Sequence, residues 1–151
     1  MSLFISFEGG EGSGKSTQIE LLQKRLHTTK FTVITIQEPG TTQLGLQIRD
    51  LLKEGSKAEK PYSKVAELFL FAAARAELVA DIIQPTMEQK DKIIVTDRYL
   101  DSTTAYQGYG SGIEIEQVRM INKIASNGLT PDITFLLDCP PEEGLKRIGS
   151  F

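Results

Sequence analysis

The sequence predicts an α/β fold, a largely parallel sheet flanked by helices, on three observations. Short runs rich in β-branched and aromatic residues recur at residues 3–7, 31–36, 93–96 and 133–137. Patterns of helical period lie between them. A glycine-rich stretch ending in Gly-Lys-Ser stands between the first strand-like run and the first helical one. Strand and helix alternating along a chain is the pattern of helices packed on a parallel sheet.

In chain order, residues 3–7 form a strand that Glu8 and the glycines terminate. Ile19, Leu22 and Leu26 then recur at helical spacing. After the strand at 31–36, residues 53–61, with three lysines, a glycine and a proline, are expected to be a solvated loop between two helices. Val65, Leu68, Phe69, Ala72, Ala76, Val79 and Ile83 make one apolar helical stripe. The strand at 93–96 runs into Asp97-Arg98-Tyr99, and the strand at 133–137 into Asp138. Residues 141–148 read as a helix with Pro141 early and Glu142 and Glu143 in its first turn. Neither repeat nor low-complexity segment interrupts residues 1–151, so one domain is expected, C-terminally incomplete because the chain stops just after that helix.

Composition excludes classes and names no function. With 40% hydrophobic and 25% charged residues the chain is neither disordered nor fibrous in type. A formal net charge of -3 argues against a sequence-independent grip on nucleic acid, which needs a broad basic face. Cys139 is the single cysteine, so no internal disulfide is expected. The N-terminal run lacks a basic leader and meets Glu8 early, and no apolar run approaches the roughly 18 residues of a membrane span. A cytoplasmic protein is expected, and His27, late in the first helix, is assigned no role.

Gly9-Gly10-Glu11-Gly12-Ser13-Gly14-Lys15-Ser16, followed by Thr17, fits the phosphate-binding pattern G-x-x-x-x-G-K-[ST] in the strand-to-helix context it requires. Glycines let backbone N–H groups turn inward around an anion, and the next helix presents its positive end there. Lys15 is expected to reach the β- and γ-phosphates of a nucleoside triphosphate, and the Ser16 hydroxyl to ligate Mg²⁺. The predicted fold is therefore the three-layer sandwich of P-loop NTPases, with kinase, ATPase and switch functions all still open.

In an open α/β sheet ligands gather at the carboxyl ends of strands. Arg98 is placed to share a phosphoryl group, its planar fork meeting two oxygens at once. Asp97 and Asp138 both end strands and could serve near Mg²⁺, partly through water. Asp97 is preferred because Arg98 is beside it.

Four motifs in order, namely the glycine loop, Glu38-Pro39-Gly40, Phe71-Ala72-Ala73-Ala74-Arg75 and the run from Asp97 to Gly108, resemble thymidylate kinases. The resemblance implies transfer of the γ-phosphoryl group of ATP to thymidine monophosphate (dTMP), with Mg²⁺, in a homodimer packed through helices. It implies that Phe71 stacks on thymine and Arg75 bonds its carbonyl. Phe71 and Arg75, at i and i+4, share a helix face in any case. Glu38 and Pro39 would line the pocket, Arg49 and Arg98 would hold the monophosphate, and Ser102, Thr103, Tyr106 and Gln107 would border the nucleoside. Glu11 would sit near the sugar hydroxyl and the metal water. Lys15, Arg98 and Asp97 are the expected catalytic groups.

The chain departs from the family at Gln37, where Arg is usual, and at Thr41, where a second Gly is usual. Glu11-Gly12 resembles members whose catalytic arginine comes from a lid, and the resemblance covers about the first three quarters of a member, short of that lid. Weak or absent turnover is therefore expected of residues 1–151, since such an arginine is worth about 10³–10⁵ in rate. The alternatives are a kinase for another nucleoside monophosphate or deoxynucleoside, and a non-catalytic nucleotide-binding module.

Overall fold

The computed structural model describes residues 2–149. Its elements are β1 (Leu3–Glu8), α1 (Lys15–Leu26), β2 (Thr32–Gln37), α2 (Gln43–Lys57), α3 (Lys64–Leu78), α4 (Gln84–Met87), β3 (Lys92–Asp97), α5 (Leu100–Thr103), α6 (Ile115–Ala125), β4 (Ile133–Leu136) and α7 (Pro141–Arg147). Wider π-helical segments, Val79–Ile83 and Thr104–Gly110, follow α3 and α5. Each predicted strand is found, within a residue or so of its expected ends.

The strands form one sheet in the order β2-β3-β1-β4, with β1 pairing in parallel with β3 (Ile5 opposite Val95) and with β4 (Ile5 opposite Ile133). Parallel pairing puts the carboxyl ends of β1, β3 and β4 on one edge, where Gly9, Arg98 and Leu137 emerge. The described residues divide into two compact units. The first comprises residues 2–36, 86–99 and 131–149, and the second residues 37–85 and 100–130.

In the first unit, β1 is buried on both faces, as a central parallel strand should be. Ile5, Phe7, Ile93 and Val95 cluster with Ile19 of α1, against which Leu22 and Leu26 also pack, so the periodicity read from sequence is the face that meets the sheet. Phe4 is fully buried and meets the Tyr99 ring edge-on at 5.1 Å. Full burial of such a side chain contributes roughly 1.5–3 kcal/mol. The edge strand β4 leaves Ile133, Phe135 and Leu136 exposed.

In the second unit, α2 begins at Thr42, whose hydroxyl accepts the Gly45 N–H at 2.9 Å, and α3 begins at Ser63, which accepts the Ala66 N–H at 3.3 Å. Two expectations are corrected here. The loop predicted at 53–61 is helical as far as Lys57. Gly55 is tolerated because the Tyr62 ring lies where its Cβ would be, and Lys57 suits the negative end of the helix. The apolar stripe of α3 is only partly buried, for Leu68, Ala72, Val79 and Ile83 are inside while Val65 and Phe69 are more than half exposed. The π-helical segment shifts the phase at residue 79, and the buried face of α3 contains Arg75.

Candidate nucleotide site

In the first unit the chain leaves β1 in a loop whose shape only glycine permits at two points. Gly9 has φ 143°, and a Cβ there would come within 2.7 Å of the Leu137 carbonyl oxygen. Gly12 has φ 67° and lies against the backbone of Gly144 in α7. Gly14, left-handed at φ 94°, starts α1 with no side chain capping it.

Lys15, buried at the start of α1, donates to the carbonyl oxygens of Gly9 (3.1 Å) and Gly10 (2.8 Å). Arg98 donates from Nη1 to the same Gly9 oxygen at 3.0 Å and from Nη2 to Glu11 Oε1 at 3.0 Å. Two cations thus converge on one main-chain oxygen. Burial pushes the Lys15 ammonium below its ordinary value and Arg98 adds to this, against the pull of Asp97, Glu11 and Glu8.

The Ser16 hydroxyl donates to Asp97 Oδ2 at 3.2 Å. Asp97 Oδ1 is buried and accepts no hydrogen bond among the described residues. Of the two strand-end aspartates the sequence offered, it is Asp97 that stands beside the glycine loop, while Asp138 is exposed.

Arg98 takes φ 72°, a left-handed conformation that costs a residue other than glycine about 1–3 kcal/mol. Its surroundings hold it there. Its N–H donates to the Phe7 carbonyl at 3.0 Å, and its carbonyl accepts from the Thr96 hydroxyl at 2.8 Å. The next N–H, of Tyr99, donates to the buried Glu8 carboxylate at 2.7 Å. Sequence reading missed Glu8, although a charged residue closing a strand buried on both faces was a signal.

In the second unit a buried polar cluster surrounds Arg75, which is 1% exposed. Its guanidinium pairs with Glu38, donates from Nη2 to Thr103 Oγ1 at 2.8 Å and from Nη1 to Asn122 Oδ1 at 2.6 Å. Three of the predicted residues, Glu38, Arg75 and Thr103, are therefore brought together. Asn122 was missed. It replaces an apolar residue on the buried face of α6, between Val118 and Ala125, which is the trace it leaves in the sequence.

Arg49 donates to the Pro39 carbonyl at 2.9 Å, so it braces the Glu38–Gly40 turn. Gln37 and Thr41, the two departures from the family pattern, meet across that turn. The Thr41 hydroxyl accepts the Gln37 N–H at 2.7 Å and donates to the Gln37 carbonyl at 2.9 Å. Gln107 is buried and donates to Glu67 at 2.9 Å, Tyr106 is nearly half exposed, Ser102 and Phe71 are half-buried, and Thr17 is exposed.

The model of the thymidylate kinase family matches residues 7–150. The chain belongs to the thymidylate kinase family. Among curated thymidylate kinases it is 50% identical to that of Roseiflexus sp. (strain RS-1) over 147 residues, 97% of this chain and 64% of the relative. It is 47% identical to that of Synechococcus sp. (strain JA-2-3B'a(2-13)) over 145 residues, 96% of this chain and 68% of the relative. The chain thus spans about two thirds of the length of these thymidylate kinases. The crystal structure of thymidylate kinase from Ehrlichia chaffeensis superposes with a TM-score of 0.82 at 40% identity, covering 97% of this chain and 82% of that one. The α/β fold read from the sequence is that of a thymidylate kinase. No helix among the described residues is long and apolar enough to cross a membrane.

Proposed function

We propose that this protein serves transfer of the γ-phosphoryl group of ATP to dTMP, giving thymidine diphosphate and ADP. The observation that carries the reading is the convergence of Lys15 and Arg98 on the Gly9 carbonyl oxygen. Two like charges held together are relieved by an anion, and a phosphoryl group in transfer between two nucleotides is such an anion.

On this reading the glycine loop and the uncapped start of α1 hold the triphosphate through backbone N–H groups. An oxygen of the monophosphate attacks the γ-phosphorus as its bond to the β,γ-bridging oxygen breaks, and ADP departs. Lys15 swings from its loop carbonyls to the β- and γ-phosphates. Arg98 spans the γ-phosphoryl group and the acceptor phosphate. No proton need be taken from a monophosphate oxygen already ionised, so no general base is required.

The Ser16 hydroxyl and Asp97 fit Mg²⁺, because a buried carboxylate oxygen that accepts no hydrogen bond beside a hydroxyl is a hard-oxygen donor set. The ion, when bound, neutralises charge on the phosphates. Glu11 would reach its water shell. The acceptor base lies on Phe71, with Arg75 donating to its carbonyl and Glu38, Pro39, Ser102, Thr103, Tyr106 and Gln107 around the nucleoside.

A homodimer is part of the same reading. Its support is the exposed apolar side chains of the second unit, Leu46 and Leu51 on α2 and Val65 and Phe69 on α3, which a second copy would cover. Light scattering of the purified chain should give twice the mass of 16.7 kDa, and a monomer at tens of micromolar would remove this element.

The function itself is tested by calorimetric titration of dTMP and of uridine monophosphate in the presence of Mg²⁺ and a nonhydrolysable ATP analogue. Saturable binding that prefers dTMP and is lost in Phe71→Ala supports the reading. A folded chain that binds the analogue but no monophosphate is instead a nucleotide-binding module.

A further inference from the structure

We propose that Glu8 is a positioning residue that holds Arg98 in its left-handed conformation and so sets how strongly the protein grips the phosphate of a monophosphate; the proposal rests on the reading of Arg98 above. Glu8 is the last residue of β1 and is 3% exposed, a burial that a carboxylate tolerates only when it is well bonded. β1 and β3 pair as far as Phe7 opposite Asp97, so Glu8 leaves the sheet beside Arg98 and Tyr99.

The peptides on either side of Arg98 are both tied. The one before it donates the Arg98 N–H to the Phe7 carbonyl at 3.0 Å. The one after it is held at both ends: the Arg98 carbonyl accepts from Thr96 Oγ1 at 2.8 Å, and the Tyr99 N–H donates to Glu8 Oε1 at 2.7 Å. These last two bonds are not equivalent. A hydroxyl both donates and accepts, so Thr96 would serve the carbonyl or, were the peptide turned over, the N–H. An ionised carboxylate only accepts, and a turned peptide would set a carbonyl oxygen against its negative charge. Its bond to an N–H is also of the stronger, charge-assisted kind. Glu8 therefore decides which way this peptide lies. Left-handed backbone is strained for any residue but glycine, so an Arg98 without that tie would relax by turning a neighbouring peptide. Its Cβ would then leave in another direction, and the guanidinium would lose the place beside Lys15 where Nη1 lies 3.0 Å from the Gly9 carbonyl oxygen.

The test compares calorimetric affinities for dTMP and for thymidine, which lacks the phosphate, in the wild type, Glu8→Leu and Glu8→Gln, each checked for folding by thermal denaturation. A general loosening of the protein lowers both affinities alike, whereas a misdirected Arg98 lowers only that for dTMP. The expected result is a dTMP-to-thymidine affinity ratio reduced roughly tenfold or more in Glu8→Leu. Glu8→Gln keeps the size and can accept the Tyr99 N–H, yet its amide can also donate to a turned carbonyl, so the ratio should fall by less. An unchanged ratio in a folded Glu8→Leu, or in Glu8→Gln should Glu8→Leu not fold, overturns the proposal.

A second measurement needs no nucleotide. Glycine is favoured over alanine at position 98 only while the left-handed conformation is imposed there. Urea denaturation should therefore find Arg98→Gly more stable than Arg98→Ala in the protein with Glu8, and that advantage should shrink or reverse when Glu8→Leu or Glu8→Gln is added. An equal advantage in every folded background refutes the tie. Should the wild type bind dTMP no better than thymidine, the functional reading of Arg98 falls, and this comparison still decides whether Glu8 holds residue 98.

Discussion

Gly144 of α7 and Gly12 of the glycine loop meet backbone to backbone, so that a Cβ on Gly12 would collide with the Gly144 carbonyl oxygen and one on Gly144 with the Glu11 carbonyl oxygen. Arg147 adds a bond from Nη1 to the Gly12 carbonyl at 3.2 Å. Helix α7 is therefore a brace for the loop. Gly144→Ala should lower stability by about 1–3 kcal/mol through overpacking and weaken binding of an ATP analogue. Thermal denaturation and calorimetry check the two effects, and an alanine variant with wild-type analogue affinity would show that the loop does not depend on the brace.

Arg98 offers a comparison of two truncations. Arg98→Gly and Arg98→Ala both remove the guanidinium, but only glycine occupies φ 72° without cost. Urea denaturation should find the glycine variant more stable than the alanine variant by roughly 1 kcal/mol, the reverse of their order at ordinary positions. Both should lose monophosphate binding.

Lys15 gives a pH dependence of definite sign. Its folded value lies below the ordinary 10.5, chiefly through burial and then through Arg98. Between the two values the unfolded chain holds more protons than the folded one, so stability rises with pH across that window and the penalty is complete below it. Lys15→Met removes the penalty. Denaturation measured as the pH is raised towards 10.5 should show the variant's advantage over the wild type shrinking, and a constant difference would contradict the assigned cause.

Metal dependence should reside in Asp97. In the wild type, removing Mg²⁺ with a chelator should weaken binding of the ATP analogue. Asp97→Asn, which keeps the shape and the contact with Ser16, should bind the analogue with little dependence on Mg²⁺. Equal Mg²⁺ dependence in both proteins would move the metal away from this residue.

Arg75 and Glu38 form a pair that is almost wholly buried, with side chains 1% and 2% exposed. Removing one partner leaves the other charge uncompensated, so Arg75→Ala should cost about 3–5 kcal/mol of stability. Replacing both by apolar residues should cost less than the sum of the single changes, as a double-mutant cycle in urea would show. This is why a truncation of Arg75 is a poor probe of base recognition.

Much of the first unit was legible in the sequence because its determinants are local. The glycine loop declares itself through residues that are neighbours in the chain, and the strand before it and the helix after it through periodicities a few residues long. The resemblance in the second unit pointed to Phe71 and Arg75 for a similar reason, since one turn of helix joins them. Where a pattern depended on what packs against it, the reading failed: the stripe on α3 includes Val65 and Phe69, which stay exposed, and omits Arg75, which does not.

The amino-acid sequence by itself determined the α/β class, the glycine-rich turn between the first strand and helix, the placing of Asp97 and Arg98 at a strand end and the family. Tertiary structure decided which groups meet. It brought Lys15 and Arg98 to one carbonyl oxygen, held Arg98 left-handed with Glu8 and Thr96, and set Asn122 against Arg75. A backbone motif needs only its own neighbours to form, whereas a buried charge must find its partners wherever the packed chain delivers them, and no local spacing encodes that address.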